Sequence, residues 1–166
     1  ADLAPVNAEE EQLILSLDAT GLLKAMDQKK LTSAKITSLY IRRARQEGQR
    51  LNFTTEECFD EAIAAARASD ARRAKGEQIG AMEGIPISLK DAFDQKGFDT
   101  MAGIMARVDQ PFEEDGLFVS VLKRAGAIPI VRTNVPPLFL NWETDNNIFG
   151  PTINPWNSNR GVGGSS

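Results

Sequence analysis

The chain has 166 residues, 42% hydrophobic and 25% charged, which is enough for one ordinary domain with a real core. Its formal net charge of −4 comes without the concentrated basic face that a nucleic-acid backbone demands, so no nucleic-acid partner is expected. There is no histidine and only one cysteine, Cys58. This excludes a Ser-His-Asp or Cys-His engine and an internal disulfide within these residues, and removes the commonest ligand of transition metals.

Residues 1–12 are acidic and polar and read as a poorly ordered lead-in. A helix is expected from about Asp18 to Asp27, with Leu22, Leu23 and Met26 as its apolar face. A second starts near Thr32 and runs to about Glu47, carrying Ile36, Leu39, Tyr40 and Ala44 at helical spacing, with Gly48 as its stop. Leu51 to Phe53 reads as a short strand. Thr54 with Glu57 three residues on has the pattern of a capping box opening an alanine-rich helix, closed near Lys75 by Gly76. Arg67, Arg72, Arg73 and Lys75 read as a solvated face at that helix's end. Cys58 reads as a small buried side chain.

The run Gly84-Ile85-Pro86-Ile87-Ser88-Leu89-Lys90-Asp91 reads as a buried strand with Pro86 among its first residues. Residues 93–112 read as loop. Asp115 can cap a further helix with Leu117, Phe118, Val121, Leu122 and Ala125 on one face, ended by Gly126, and Ala127 to Val131 is a second buried strand. Helix, strand, loop, helix, strand in this order predicts an α/β domain. No apolar run approaches the ~20 residues of a bilayer span. The chain begins at Ala1 and stops in a glycine-rich run, so both ends are expected to be cuts from something longer.

Three segments carry chemistry. Lys90 stands where an apolar strand leaves the core; loss of hydration there disfavours the charged amine and suits a general base, while a lysine snorkelling from a strand end beside Asp91 fits the same pattern. Gly161-Val162-Gly163-Gly164-Ser165-Ser166 offers unusual backbone geometry and two hydroxyls, and fits either an anion-binding turn or a tail. Thr133-Asn134-Val135-Pro136 and Phe149-Gly150-Pro151-Thr152-Ile153-Asn154-Pro155-Trp156 fix an irregular path of the kind that lines sites.

In this order and spacing the four motifs resemble the amidase-signature family, from about Leu13 to Ser166 and most densely after Gly84. Thr-Asn-Val-Pro followed by Leu138-Phe139-Leu140-Asn141-Trp142 is similar to the fatty acid amide hydrolase branch; the amidotransferase A subunits usually have Thr-Asn-Met-Asp there. The resemblance implies an amidase-signature α/β fold, a mixed sheet covered by helices, of which residues 13–166 are the N-terminal part of a single domain ending before the nucleophile. It implies a Ser-Ser-Lys triad in which Lys90 is the base and Ser165 the bridging serine, after a cis Gly164–Ser165 bond. Gly163, Gly164 and Ser166 are expected to shape the turn, and Phe139, Leu140 and Asn141 to border the substrate.

The implied activity is hydrolysis of amides, fatty acyl amides first, without cofactor or metal, with the 166 residues inactive by themselves. The resemblance is also compatible with a small-amide amidase, with an amidotransferase A subunit, and with a non-catalytic binder of lipid amides. It is compatible with an intracellular location, with membrane association of the full-length protein and with a homodimer.

Overall fold

The computed structural model describes residues 1–165. In chain order the helices are α1 (Ala8–Ser16), α2 (Ala19–Asp27), α3 (Ser33–Leu51), α4 (Phe59–Lys75) and α5 (Leu117–Arg124); the strands are β1 (Thr54–Glu57), β2 (Pro86–Lys90) and β3 (Ile128–Thr133). The strands form a sheet in the order β1-β3-β2. β1 is antiparallel to β3, with Glu56 opposite Arg132 and Glu57 opposite Val131. β2 runs parallel to β3: Ile128 N–H reaches Ile85 O and Asp91 N–H reaches Thr133 O. The parallel pair is joined through α5, the crossover that parallel strands need. Pro129 lies outside the part of β3 that β1 pairs.

The chain divides into two compact units. The first holds residues 1–42, 58–87 and 121–130, the second residues 43–57, 88–120 and those from 131 onward. The first unit has an apolar core of Ile14, Leu22, Ala25, Met26, Leu31, Ile36, Leu39 and Ile85, with Tyr40 and Ile87 packed against it. Its polar ties close helix ends. The Asp70 carboxylate accepts the Ser33 and Ala34 N–H groups at the start of α3 (2.7 and 3.0 Å), where a negative charge also suits the helix dipole. Ser33 Oγ donates to Gly84 O at 2.8 Å. Gly126, at φ 90°, lies so close to Glu83 that a Cβ there would strike its backbone.

The structure departs from the sequence reading in five places, one of them the expected strand Leu51 to Phe53, where Leu51 instead ends α3 and the strand begins at Thr54. The expected lead-in contains the start of α1, set by a capping box in which Asn7 accepts the Glu10 N–H and Glu10 accepts the Asn7 N–H. α3 passes through Gly48, whose missing side chain admits Thr54: a Cβ would sit 2.9 Å from Thr54 Oγ1. Thr54–Glu57 is strand rather than a helix cap, because pairing with β3 outweighs the local capping pattern; α4 begins after Cys58, which is buried. On α5 only Val119 is buried, while Leu117, Phe118 and Val121 are exposed. The αL stop at Gly76 (φ 68°) and the position of Pro86 at the start of β2 are as expected. The loop over 93–112 contains one 3-10 turn, Met105–Arg107.

Candidate active site

The site residues all belong to the second unit. Lys90 ends β2 half-buried, and its Nζ donates to Ser165 Oγ at 2.7 Å, a contact between residues 75 apart in sequence. The Gly164–Ser165 peptide is cis. The glycine turn carrying Ser165 is held from outside: Thr144 Oγ1 donates to Gly163 O at 2.8 Å, and Asn154 Nδ2 to Gly161 O at 2.9 Å. A Cβ on Gly164 would collide with the Asn141 carbonyl, so this approach is open only to glycine.

Phe139 covers Lys90 from another side. Its ring centroid lies 5.3 Å from Nζ, within the range of a cation–π contact. Phe139 and its neighbour Leu138 both occupy the left-handed region, at φ 63° and 53°. Such residues cost on the order of 1–3 kcal/mol each and persist only where the surroundings impose them. Of the other expected site residues, Leu140 is exposed over 82% of its surface. Asn141 is exposed and meets the turn through its backbone carbonyl. Ser166 lies outside the described residues.

Behind Lys90 is a buried charge cluster. Arg132, on β3, is wholly inaccessible; it donates to Asp91 Oδ1 at 3.0 Å and to Phe93 O at 2.9 Å, and its Nε lies 3.3 Å from Glu56 Oε2. The pairing of Glu56 with Arg132 across the sheet follows a bulge between Thr54 and Glu56. Asp91 also accepts the N–H groups of Met101 (3.1 Å) and Ala102 (3.2 Å). Burial pushes the Asp91 carboxyl above its ordinary range, against the pull of Arg132 and these two donors. Burial pushes Glu56 up as well, against the Asp99 N–H and Arg132.

The sequence profile of the family described as Amidase matches residues 35–166. The chain belongs to the amidase family. It is 37% identical over 158 residues to Amidase 1 of Gibberella moniliformis (strain M3125 / FGSC 7600), covering 95% of this chain and 30% of the relative. It is also 37% identical over 160 residues to the Acetamidase of Emericella nidulans (strain FGSC A4 / ATCC 38163 / CBS 112.46 / NRRL 194 / M139), covering 96% and 29%. Among solved structures it is similar to a fatty acid amide hydrolase, with a TM-score of 0.89 and 31% identity over 96% of this chain and 28% of that one. The chain thus spans under a third of the length of these proteins. The likeness establishes the amidase-signature α/β fold, with its mixed sheet.

The two motifs with few chemical groups, Thr-Asn-Val-Pro and Phe-Gly-Pro-Thr, are joined by buried side-chain amides in this member of the amidase family. Asn134 Nδ2 donates to Gly150 O (3.0 Å) and Thr152 Oγ1 (3.1 Å), and Asn134 Oδ1 accepts from Asn146 Nδ2 at 2.7 Å. Asn146 Oδ1 in turn accepts the Ile148 and Phe149 N–H groups, both at 2.9 Å. Asn146, Thr144, Arg132 and Glu56 are site-supporting residues that the sequence reading did not single out. A charged residue at the end of the apolar run Ile128–Val131 was the one available signal for Arg132. Among the described residues no group of His, Cys, Asp and Glu could hold a metal ion, and no helix is long and apolar enough to cross a membrane.

Proposed function

We propose that the full-length amidase hydrolyses linear amide C–N bonds by acyl transfer, with Lys90 and Ser165 as its proton relay. The observation that carries this reading is the Lys90 Nζ to Ser165 Oγ hydrogen bond of 2.7 Å. The absence of histidine from these residues leaves lysine as the natural proton acceptor beside a serine. In the relay, an attacking serine hydroxyl passes its proton to Ser165 as the Ser165 proton moves to the Lys90 amine. The attacking oxygen forms the C–O bond of a tetrahedral intermediate. Its collapse breaks the C–N bond, and the proton returns through Ser165 to the leaving amine. Water then takes the serine's place in the same sequence, releasing the acid and restoring the hydroxyl, so the sum is amide plus water to acid plus amine.

Replacing Lys90 by methionine keeps the apolar stem and removes the amine. In the full-length protein K90M is expected to lower kcat for an acyl amide by about 10²–10⁴-fold. A kcat within twofold of the parent in a correctly folded K90M protein would falsify the relay.

The substrate class we favour is a fatty acyl amide, because the apolar Phe139 ring adjoins the Lys90 amine. The likeness to the solved fatty acid amide hydrolase supports the same choice. The acetamidase relative supports a second reading, a small amide. Exchanging Phe139 for serine distinguishes them: kcat/KM for oleamide should fall more than that for acetamide, and equal losses would remove the acyl-chain assignment.

A further inference from the structure

We propose that Asp91 is a positioning residue that sets the Phe139 ring against the Lys90 amine. The route is continuous and short. Arg132 fixes Asp91 Oδ1 at 3.0 Å. The two carboxylate oxygens hold the N–H groups of Met101 and Ala102, and Ala102 is thereby kept in the left-handed region at φ 51°. The Ala102 carbonyl accepts the Leu138 N–H at 2.9 Å. Gly103, at φ 68°, lies so close to the next turn that a Cβ would come within 2.9 Å of Pro137 Cα. Leu138 and Phe139 follow in their left-handed conformations, with Phe139 N–H bonded to Pro136 O at 3.0 Å, and the ring comes to rest 5.3 Å from Nζ.

Adjacent residues therefore carry the two halves of one device. Lys90 supplies the amine, and Asp91 supplies the carboxylate that, by way of Ala102 and Leu138, places the ring covering that amine. A lysine side chain is a flexible stem with three rotatable donors. The bond to Ser165 fixes one direction of the amine, and the ring takes a second face away from water. Charge at Asp91 matters here because a neutral amide at that position cannot pair with Arg132 and accept two N–H groups through both of its atoms. The functional importance of this placement rests on the reading of Lys90 as proton acceptor; the placement itself does not.

The test reads the ring without turnover. With lysine labelled at Cε by carbon-13, the Lys90 Hε resonances are shifted by the Phe139 ring current, and F139L abolishes that shift. D91N is expected to lose the shift to the F139L value, and the D91N/F139L double variant to lose no more than either single variant. Coupling of this kind marks residues acting as one unit. A folded D91N protein whose Lys90 resonance matches the parent overturns the proposal. If D91N fails to fold, G103A carries the test, since its Cβ pushes on Pro137 without touching the charge cluster; an unshifted Lys90 resonance in folded G103A is equally fatal. A lost ring shift together with an unimpaired kcat in full-length K90M would leave the placement standing and remove the hydrolase reading.

Discussion

In the first unit Ile14, Met26, Ile36 and Leu39 disappear into a core built by three helices and the start of a strand. In the second unit the most deeply buried side chains include Arg132, Asp91 and Asn134, and they are held by hydrogen bonds and charge. Apolar burial is roughly proportional to area and tolerates small shifts, whereas a buried polar network works only when each group has its partner. The site sits in the unit that depends on direction. An amine within hydrogen-bond reach of a hydroxyl needs geometry more than it needs area, and the bonds that fix the turns also fix the amine.

Four measurements press on this contrast. Changing Arg132 to methionine leaves Asp91 and Glu56 buried without their cation and is expected to cost about 3–5 kcal/mol in urea unfolding. A loss below about 1 kcal/mol would mean that the cluster is solvated and the contrast false. Removing the amide of Asn146 by alanine strips the acceptor from the Ile148 and Phe149 N–H groups, with an expected cost of about 2 kcal/mol. In the first unit, Ile36→Val deletes one buried methylene and is expected to cost about 1 kcal/mol by the same method. A larger loss for Ile36→Val than for Asn146→Ala would reverse the ranking.

The smallest effect concerns pH, and it has opposite signs in the two units. Glu56 and Asp91 are raised by burial, so the native state holds protons that the unfolded state has released, and stability falls as pH rises above their ordinary values of 4.5 and 3.8 through the raised ones. Burial pushes Glu83 up too, but its hydrogen bonds and the Arg72 charge win and leave it below 4.5, so its contribution is present above that value and is lost as pH falls. Urea midpoints measured from about pH 3 to about pH 7 should therefore show a shallower downward slope in E56Q, with the part due to Asp91 remaining, and a shallower acid-side decline in E83Q, with the parts due to Asp2 and Glu10 remaining. Identical profiles for the two variants would contradict the assignment.

What the sequence discloses follows the same division. α2 and the end of α4 are legible because an apolar stripe and an αL glycine are local signals, as is the short apolar run of β2. β1 is not legible: Thr54 to Glu57 satisfies a helix-start pattern, and only β3, more than 70 residues away, makes it a strand. Gly48 misleads for a related reason, since its small size serves an approach by Thr54 rather than a helix end. At the site, the order of motifs leads to Lys90 and Ser165, which lie in hydrogen-bond contact. It does not lead to Arg132, Glu56 or Asn146, because the partners that define them come from other segments of the chain.

Asn146 uses both ends of one small amide: its nitrogen gives protons to Asn134 Oδ1 and to Val135 O, and its oxygen receives them from two backbone groups. Spontaneous hydrolysis of that amide during storage would exchange a single NH2 for oxygen and leave the shape nearly intact. The new carboxylate oxygen would then face two oxygens at donor distance, so a chemical ageing event worth one dalton would force apart the segments around Val135 and Phe149.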